Sequence, residues 1–404
     1  MNTLPLSNPF RPGAGHMPPY LAGRENEKEE FARLLKQSTI LENLVLTGLR
    51  GVGKTVLLDV FKPMAQAEGW LWIGTDLSES ASLNEANICT RLLTDLSVLT
   101  SSIVINQQAH RGIGFTPATE IQEQKLSFQT LFNLFESTPG LPEDKLKYVL
   151  EFVWSILKGI PKFNGIVFAY DEAQNLADHT DRDQFPLSLL LNTFQSIQRK
   201  EIPFMLALTG LPTLFPKLVE ARTYAERMFR VIFLNKLSAG AVKEAIQKPL
   251  ESYTLSLTDE SINQIVELSG GYPYFVQFIC REVYDLFILK MSTGTQPSVP
   301  TSEIVQKLDS DFFAGRWARA TDRQRELLAV IATLDCSDVE FSVQEVVSKS
   351  KEILEKPFSS SHINQMLSTL SGAGLVYKNR YGKYSFAVPL LGAFIKRQKI
   401  SGVI

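Results

Sequence analysis

Residues 44–60 read LVLTGLRGVGKTVLLDV. A β-prone lead-in (Leu44, Val45, Leu46, Thr47) runs into three glycines, then a lysine and a threonine, then a second apolar run. The stretch satisfies the template G-x-x-x-x-G-K-[ST], from Gly48 through Leu49, Arg50, Gly51, Val52 and Gly53 to Lys54, Thr55 and Val56. A triphosphate needs backbone N–H groups close to its oxygens, and a Cβ in the loop would obstruct that approach or forbid the required φ. A helix opening near Lys54 aims its unpaired N–H groups and positive dipole end at the same anion. Lys54 then reaches the β- and γ-phosphates, and the Thr55 hydroxyl ligates Mg²⁺. Strand, glycine loop and helix in this order predict an α/β core with ATP or ADP and Mg²⁺ at the loop.

A second stretch, GIVFAYDEAQNL, begins at Gly165. Ile166 to Tyr170 form a short apolar run that predicts a central parallel strand, buried on both faces. Asp171 and Glu172 fall at its carboxyl end, the edge at which open α/β sheets bind ligands. There Asp171 would hold Mg²⁺ through its water shell, and Glu172 would orient and deprotonate an attacking water. A purely structural pair would end the strand and cap the next helix. The stretch IPFMLALTGLPTL predicts a third strand from Pro203 to Leu208, closed by Thr209. Thr209 is placed to hydrogen-bond the γ-phosphate or the attacking water, or serves as a β-branched strand end.

The chain of 404 residues suggests two or three domains, and 44% hydrophobic residues supply sizeable cores. Net charge is −2, unevenly spread: residues 312–404 hold 13 Lys+Arg against 8 Asp+Glu, a net of +5. A basic tail on an acidic body is compatible with nucleic-acid binding at the carboxyl end. Cys89, Cys280 and Cys336 lie far apart with no C-x-x-C spacing, which argues against a disulfide framework and a structural zinc. His16, His110, His179 and His362 are equally dispersed. No apolar run approaches the ~18 residues that span a bilayer, and MNTLPLSNPFRPGAGH has no signal-peptide core, so a cytoplasmic protein with no membrane partner is expected.

Together these residues resemble the AAA+ superfamily, in particular the ATPases related to origin-recognition initiators and to STAND regulators. Pro18 to Leu35 (PPYLAGRENEKEEFARLL) resembles the family's Gly-Arg-Glu box, in which Gly23 and Arg24 frame the adenine. GLRGVGKT and YDEAQ resemble its two nucleotide motifs, and LTGLPTL resembles the first sensor strand and loop. Ala221 to Ser238 (ARTYAERMFRVIFLNKLS) looks like the arginine-bearing exit from the core, and Leu268 to Tyr284 (LSGGYPYFVQFICREVY) like the lid helix. The resemblance implies a five-stranded parallel core and a small helical lid enclosing ATP. It implies too that Arg227, with Arg222 and Arg230 as the other candidates, acts as a finger on a neighbouring copy's γ-phosphate in a homo-oligomer. In one respect the chain departs from the family. Many AAA+ lids present an arginine as a second sensor, whereas Gly271, Tyr272, Pro273, Tyr274 and Phe275 include none. That pattern is closer to STAND-type lids, where the proline, here Pro273, packs near the adenine.

Along the chain, residues 1–20 read as an extended arm and 21–236 as the core, with a helical insertion at about 79–160. Residues 237–300 read as the lid, ending in the linker STGTQPSVP. The segment 101–124 is polar and reads as a mobile loop. From 301 to 404 the pattern is three amphipathic helices and then LVYKNRYGKYSFAVP, an alternating hairpin turning at Tyr381-Gly382. This is the winged-helix order. His362, Asn364 and Gln365 on the third helix would face a DNA major groove, with Lys378, Arg380 and Lys383 on the wing against the backbone. The third helix has no lysine or arginine, which suits a protein partner equally well. The expected function is a slowly hydrolysing ATPase that couples nucleotide state to duplex DNA. The alternatives are a nucleotide-dependent signalling switch or scaffold, and a transposition or defence accessory ATPase.

Overall fold

The structure, a computed structural model, describes residues 7–398 except 103, 112–118, 160–162, 254, 292–298, 336–339 and 381; within 104–124, and at 291 and 380, it describes the backbone alone. The chain divides into two compact units. One comprises residues 25–47 and 57–233; the other comprises 1–24, 48–56 and 234–404.

In chain order the strands are β1 (Asn43–Gly48), β2 (Trp70–Ile73), β3 (Val104–Arg111), β4 (Thr119–Lys125), β5 (Gly165–Tyr170), β6 (Phe204–Gly210) and β7 (Phe229–Leu234). Five of them form one sheet in the order β2-β5-β6-β1-β7. β1 pairs parallel with β6 from Leu44↔Ala207 to Thr47↔Gly210, and β6 with β5 from Phe204↔Ile166 to Leu208↔Tyr170. Composition explains the order. β1, β5 and β6 are mainly apolar, apart from Asn43, Thr47 and Thr209, and every residue is buried, as central strands covered on both faces require. The edge strands β2 and β7 mix buried and more accessible positions. Helices such as Glu85–Thr100, Pro142–Leu157 and Pro186–Gln198 bring Leu92, Leu150 and Leu190 into one buried core with Phe168 and Phe204 of the sheet. The α/β class and the five-stranded sheet agree with the sequence reading.

Segment 101–124 departs from that reading. β3 and β4 form an antiparallel ribbon, in register from Asn106↔Gln124 to Arg111↔Thr119. Its residues, VINQQAHR against TEIQEQK, carry no apolar stripe, so pattern alone hides it. A ladder of backbone hydrogen bonds does not need one. The short helix Phe128–Ser137 was likewise not foreseen.

In the other unit, helices Ala239–Leu250, Asp259–Ser269 and Pro273–Met291 share a core with the carboxyl-terminal segment. Their start signals are legible: the Thr258 hydroxyl accepts from Ser261 N at 3.2 Å, and Thr321 and Gln324 cap each other reciprocally. The carboxyl-terminal elements are helix Asp322–Ala332, β8 (Phe341–Ser342), helices Val343–Ile353 and Ser360–Gly372, β9 (Val376–Arg380), β10 (Lys383–Phe386) and helix Leu391–Arg397. β10 lies between β8 and β9, antiparallel to both. Among the described residues no helix is long and apolar enough to cross a membrane.

Candidate nucleotide site

The glycine loop is held from several directions within its own unit. Gly51 has φ +78° and Gly53 φ +92°, values that L side chains rarely adopt. A Cβ at Gly51 would lie 3.1 Å from that of Tyr274, while Gly53 has open space beside it. Lys54 Nζ donates to the carbonyls of Gly48 and Leu49, both at 3.0 Å, which sets the ammonium inside the ring of the loop. Thr55 is the second residue of helix Lys54–Ala67, and Val56 the third.

Arg24, 4% exposed, donates from Nη2 to the carbonyls of Val52 (3.0 Å) and Asn235 (2.9 Å). Its guanidinium braces the loop backbone. Gly23 sits where a Cβ would come 2.7 Å from Ala241. Pro273 opens its helix half-buried, and the next residue, Tyr274, donates its N–H to Gly51 O at 3.2 Å. Sequence reasoning missed Tyr274; its only signal was adjacency to the proline.

The carboxyl edge of the sheet, in the other unit, carries the acids. Asp171 follows β5 and is 5% exposed; its Oδ1 accepts the Glu172 N–H at 2.7 Å. Its backbone is tied to residues following β2, with Asp171 N donating to Thr75 O (3.2 Å) and Leu77 N to Asp171 O (2.9 Å). Glu172 adopts φ 52°, ψ 30°, a left-handed conformation rare outside glycine. Its carboxylate accepts from Gln174 Nε2, and Gln174 Oε1 accepts from Leu211 N at 3.0 Å, just beyond β6. A Cβ at Gly210 would stand 2.6 Å from that Oε1, so the small residue leaves room for the bridge. Gln174 was not foreseen, although it belongs to the motif YDEAQ.

Thr209 closes β6 fully buried, and its hydroxyl has no hydrogen-bond partner; the same holds for Thr47 at the end of β1. Two orphaned hydroxyls on adjacent strand ends are a feature that buried structure normally avoids. Asp59, on helix Lys54–Ala67, and Asp76 also face Asp171 electrostatically. Partial burial raises the Asp59 carboxyl above its usual range; Lys62 opposes the rise, and the charges of Asp171 and Asp76 add to it. Among the described residues no three His, Cys, Asp or Glu gather as a metal-holding group. A site with one buried carboxylate still suits Mg²⁺, which keeps much of its water and takes the rest of its ligands from phosphates.

Of the arginine candidates, Arg230 pairs with Glu30 through two bonds of 2.7 and 2.9 Å, and Arg222 donates to Asn192 Oδ1 at 3.0 Å. Arg227 is exposed and lines a cleft of about 440 Å³ with Tyr224, Gln198 and Leu41. On helix Ser360–Gly372, His362, Asn364 and Gln365 are all exposed, between buried Ile363, Met366 and Leu367. In the hairpin, Lys378 is exposed and Lys383 pairs with Glu345 at 3.4 Å. The Arg380 side chain, Tyr381 and Cys336 lie outside the described residues. Cys89 and Cys280 are buried thiols pushed up by burial, Cys89 to about 12.

Residues 310–395 match a family described as a domain of unknown function (DUF8462). No curated protein matches the chain. Among solved structures, the chain is similar to the Walker-type ATPase PABY2304 of Pyrococcus abyssi, at 15% identity over 93% of this chain and 96% of that one, with a TM-score of 0.57. It is also similar to the ADP form of the Aeropyrum pernix ORC2 protein, at 13% identity over 95% and 97% of the two chains, with a TM-score of 0.52. The chain thus shares the fold of these two proteins.

Proposed function

We propose that the chain binds ATP and ADP at the glycine loop and hydrolyses ATP slowly. The observation that carries this reading is the loop itself: strained glycines, an inward lysine, and backbone braces from Arg24 and Tyr274 that keep the ring open. Such a nest of N–H groups at a helix start recognises phosphate. Gly48 to Val56 form the cradle, Gly23, Arg24 and Pro273 border it, and Thr55 and Asp171 would hold Mg²⁺. The metal, when bound, neutralises charge on the phosphate oxygens. β1 runs directly into the loop, and within the sheet β6 and then β5 follow β1 in order. Glu172 would orient the water and take its proton, and the unpartnered Thr209 hydroxyl would hold the water or a phosphate oxygen. Arg227, exposed on its short helix, would serve as a finger toward a second copy.

The carboxyl-terminal segment, with helices Asp322–Ala332, Val343–Ile353 and Ser360–Gly372 leading into a basic hairpin and a net charge of +5 from residue 312 onward, would act as a winged helix on duplex DNA. A protein partner is the competing reading, as for a signalling switch, a scaffold or a transposition or defence accessory ATPase. Two observations favour it: His362, Asn364 and Gln365 are joined by no cation on their helix, and Lys383 is already engaged by Glu345.

Calorimetric titration of the full chain with Mg·ATP and Mg·ADP tests the nucleotide reading. Both should bind, and Lys54→Ala should abolish the heat. A wild-type chain that binds neither nucleotide refutes it.

A further inference from the structure

Three arginines gather by the glycine loop in its own unit: Arg50 on the loop, and Arg316 and Arg319, which lie in or just after helix Ala314–Trp317. None of the three forms an ion pair among the described residues. Arg316 is half-buried, with Cζ 4.3 Å from the centre of the Phe312 ring and Nη1 donating to Phe312 O at 2.6 Å. The Phe312 ring lies 5.3 Å from that of Tyr274, and Tyr274 is the residue bonded to Gly51 of the loop. Arg316 is therefore linked to the loop through two successive contacts, on Phe312 and then Tyr274, with most of its five N–H donors uncommitted. Of the two acids in that turn, Asp311 accepts from Ser310 at 2.7 Å and Asp309 from Arg397 Nε at 2.9 Å.

Gathering like charges beside a partly buried guanidinium is unfavourable without a counter-ion. Burial first, then Arg50, then Arg319 hold the Arg316 guanidinium below its ordinary range. The turn that carries Phe312, Asp309–Phe313, is π-helical, a geometry often found at functional positions.

We propose that Arg316, with Arg50 beside it, reads the terminal phosphate of the nucleoside triphosphate seated in the glycine loop. The inference rests on the loop being a nucleotide site and adds a residue that no nucleotide motif contains. Gly271–Phe275, which contributes Tyr274 to the loop, contains no arginine of its own. Arg316 also gives the nucleotide a route outward: Phe313, next to Phe312, stacks on Phe394 of the last helix at 5.1 Å, and Trp317 meets the same ring at 5.9 Å.

The test compares affinities of the full chain for ADP and for a hydrolysis-resistant ATP analogue. Arg316→Ala should weaken the triphosphate about ten- to hundredfold, as loss of one guanidinium–phosphate hydrogen bond does, and change ADP binding by less than about threefold. Arg316→Gln keeps a long side chain over Phe312 and should show the same selective loss if the alanine variant folds poorly. Arg50→Ala, at an exposed position, should weaken the triphosphate in the same direction. An unchanged ratio of the two affinities in the Arg316 variants overturns the proposal while leaving the nucleotide site standing. Failure of the wild-type chain to bind either nucleotide overturns the site itself.

Discussion

Glu172 sits in a backbone conformation that costs an ordinary side chain about 1–3 kcal/mol, a strain that persists where surrounding bonds over-determine it. Here they are visible. Asp171 Oδ1 accepts its N–H, and Gln174 grips its carboxylate while its own amide oxygen holds Leu211 N after β6. Lys217 Nζ in turn donates to Gln174 O at 2.7 Å. The carboxylate is thus aimed by a bridge anchored on two strands. Replacing Glu172 by Gln preserves the shape and removes the proposed base, so single-turnover hydrolysis should fall about 10²–10⁴-fold while ATP still binds. Unchanged turnover would assign the water to another residue. The position of Asp171 and Glu172 after β5 was legible because an apolar run broken by two carboxylates reads as a strand and its end. Gln174 was not, because its partner Leu211 is distant in sequence and contributes only a backbone amide.

Within the elements, the order of strands depends on an amide pair as well as on apolar runs. Asn43, fully buried at the start of β1, accepts from Leu206 N at 2.7 Å and from Gln198 Nε2 at 2.8 Å, and donates to Met228 O at 3.2 Å. Gln198 closes the circuit on Phe204 O at 2.7 Å. One side chain therefore fastens β1 to β6 and to the chain entering β7. Asn43→Ala would strand a buried amide and a backbone N–H, so it should destabilise the unit by about 2–4 kcal/mol, read as a lower denaturant midpoint. A midpoint shift worth under about 0.5 kcal/mol would show that water replaces the clamp. From sequence Asn43 reads as the last polar residue before a strand, since hydrophobic periodicity carries no information about a buried polar network. Strands β1, β5 and β6 were legible for the opposite reason: burial on both faces leaves a mainly apolar run. The β3–β4 ribbon was illegible because its stability lies in main-chain pairing between polar residues.

At the scale of the whole molecule, packing rather than sequence position decides what belongs together. Residues 48–56 cluster with 1–24 and 234–404, although they are embedded in the stretch that supplies the sheet. Asn8 donates to Arg281 O at 2.9 Å, and Arg11 N to Gln277 at 3.1 Å, so the amino-terminal arm belongs with the helix Pro273–Met291. No periodicity could report a grouping of three separated segments; the Gly-Arg box and the proline after Gly271 hinted at it only through resemblance. The consequence for function is that the glycine loop shares one packed unit with the segment proposed to meet DNA. If that segment is a winged helix on duplex DNA, changing Lys378, Arg380 and Lys383 together to Ala should weaken binding at every sequence tested. The slope of log affinity against log salt should also fall by about one for each phosphate that the variant no longer neutralises. Lys383 should contribute least, because Glu345 already neutralises it and must be displaced first. Titrations of labelled duplex at several salt concentrations read both quantities. Equal affinity and equal slope in the triple variant would remove DNA from the hairpin and leave the exposed face around His362, Asn364 and Gln365 to a protein partner.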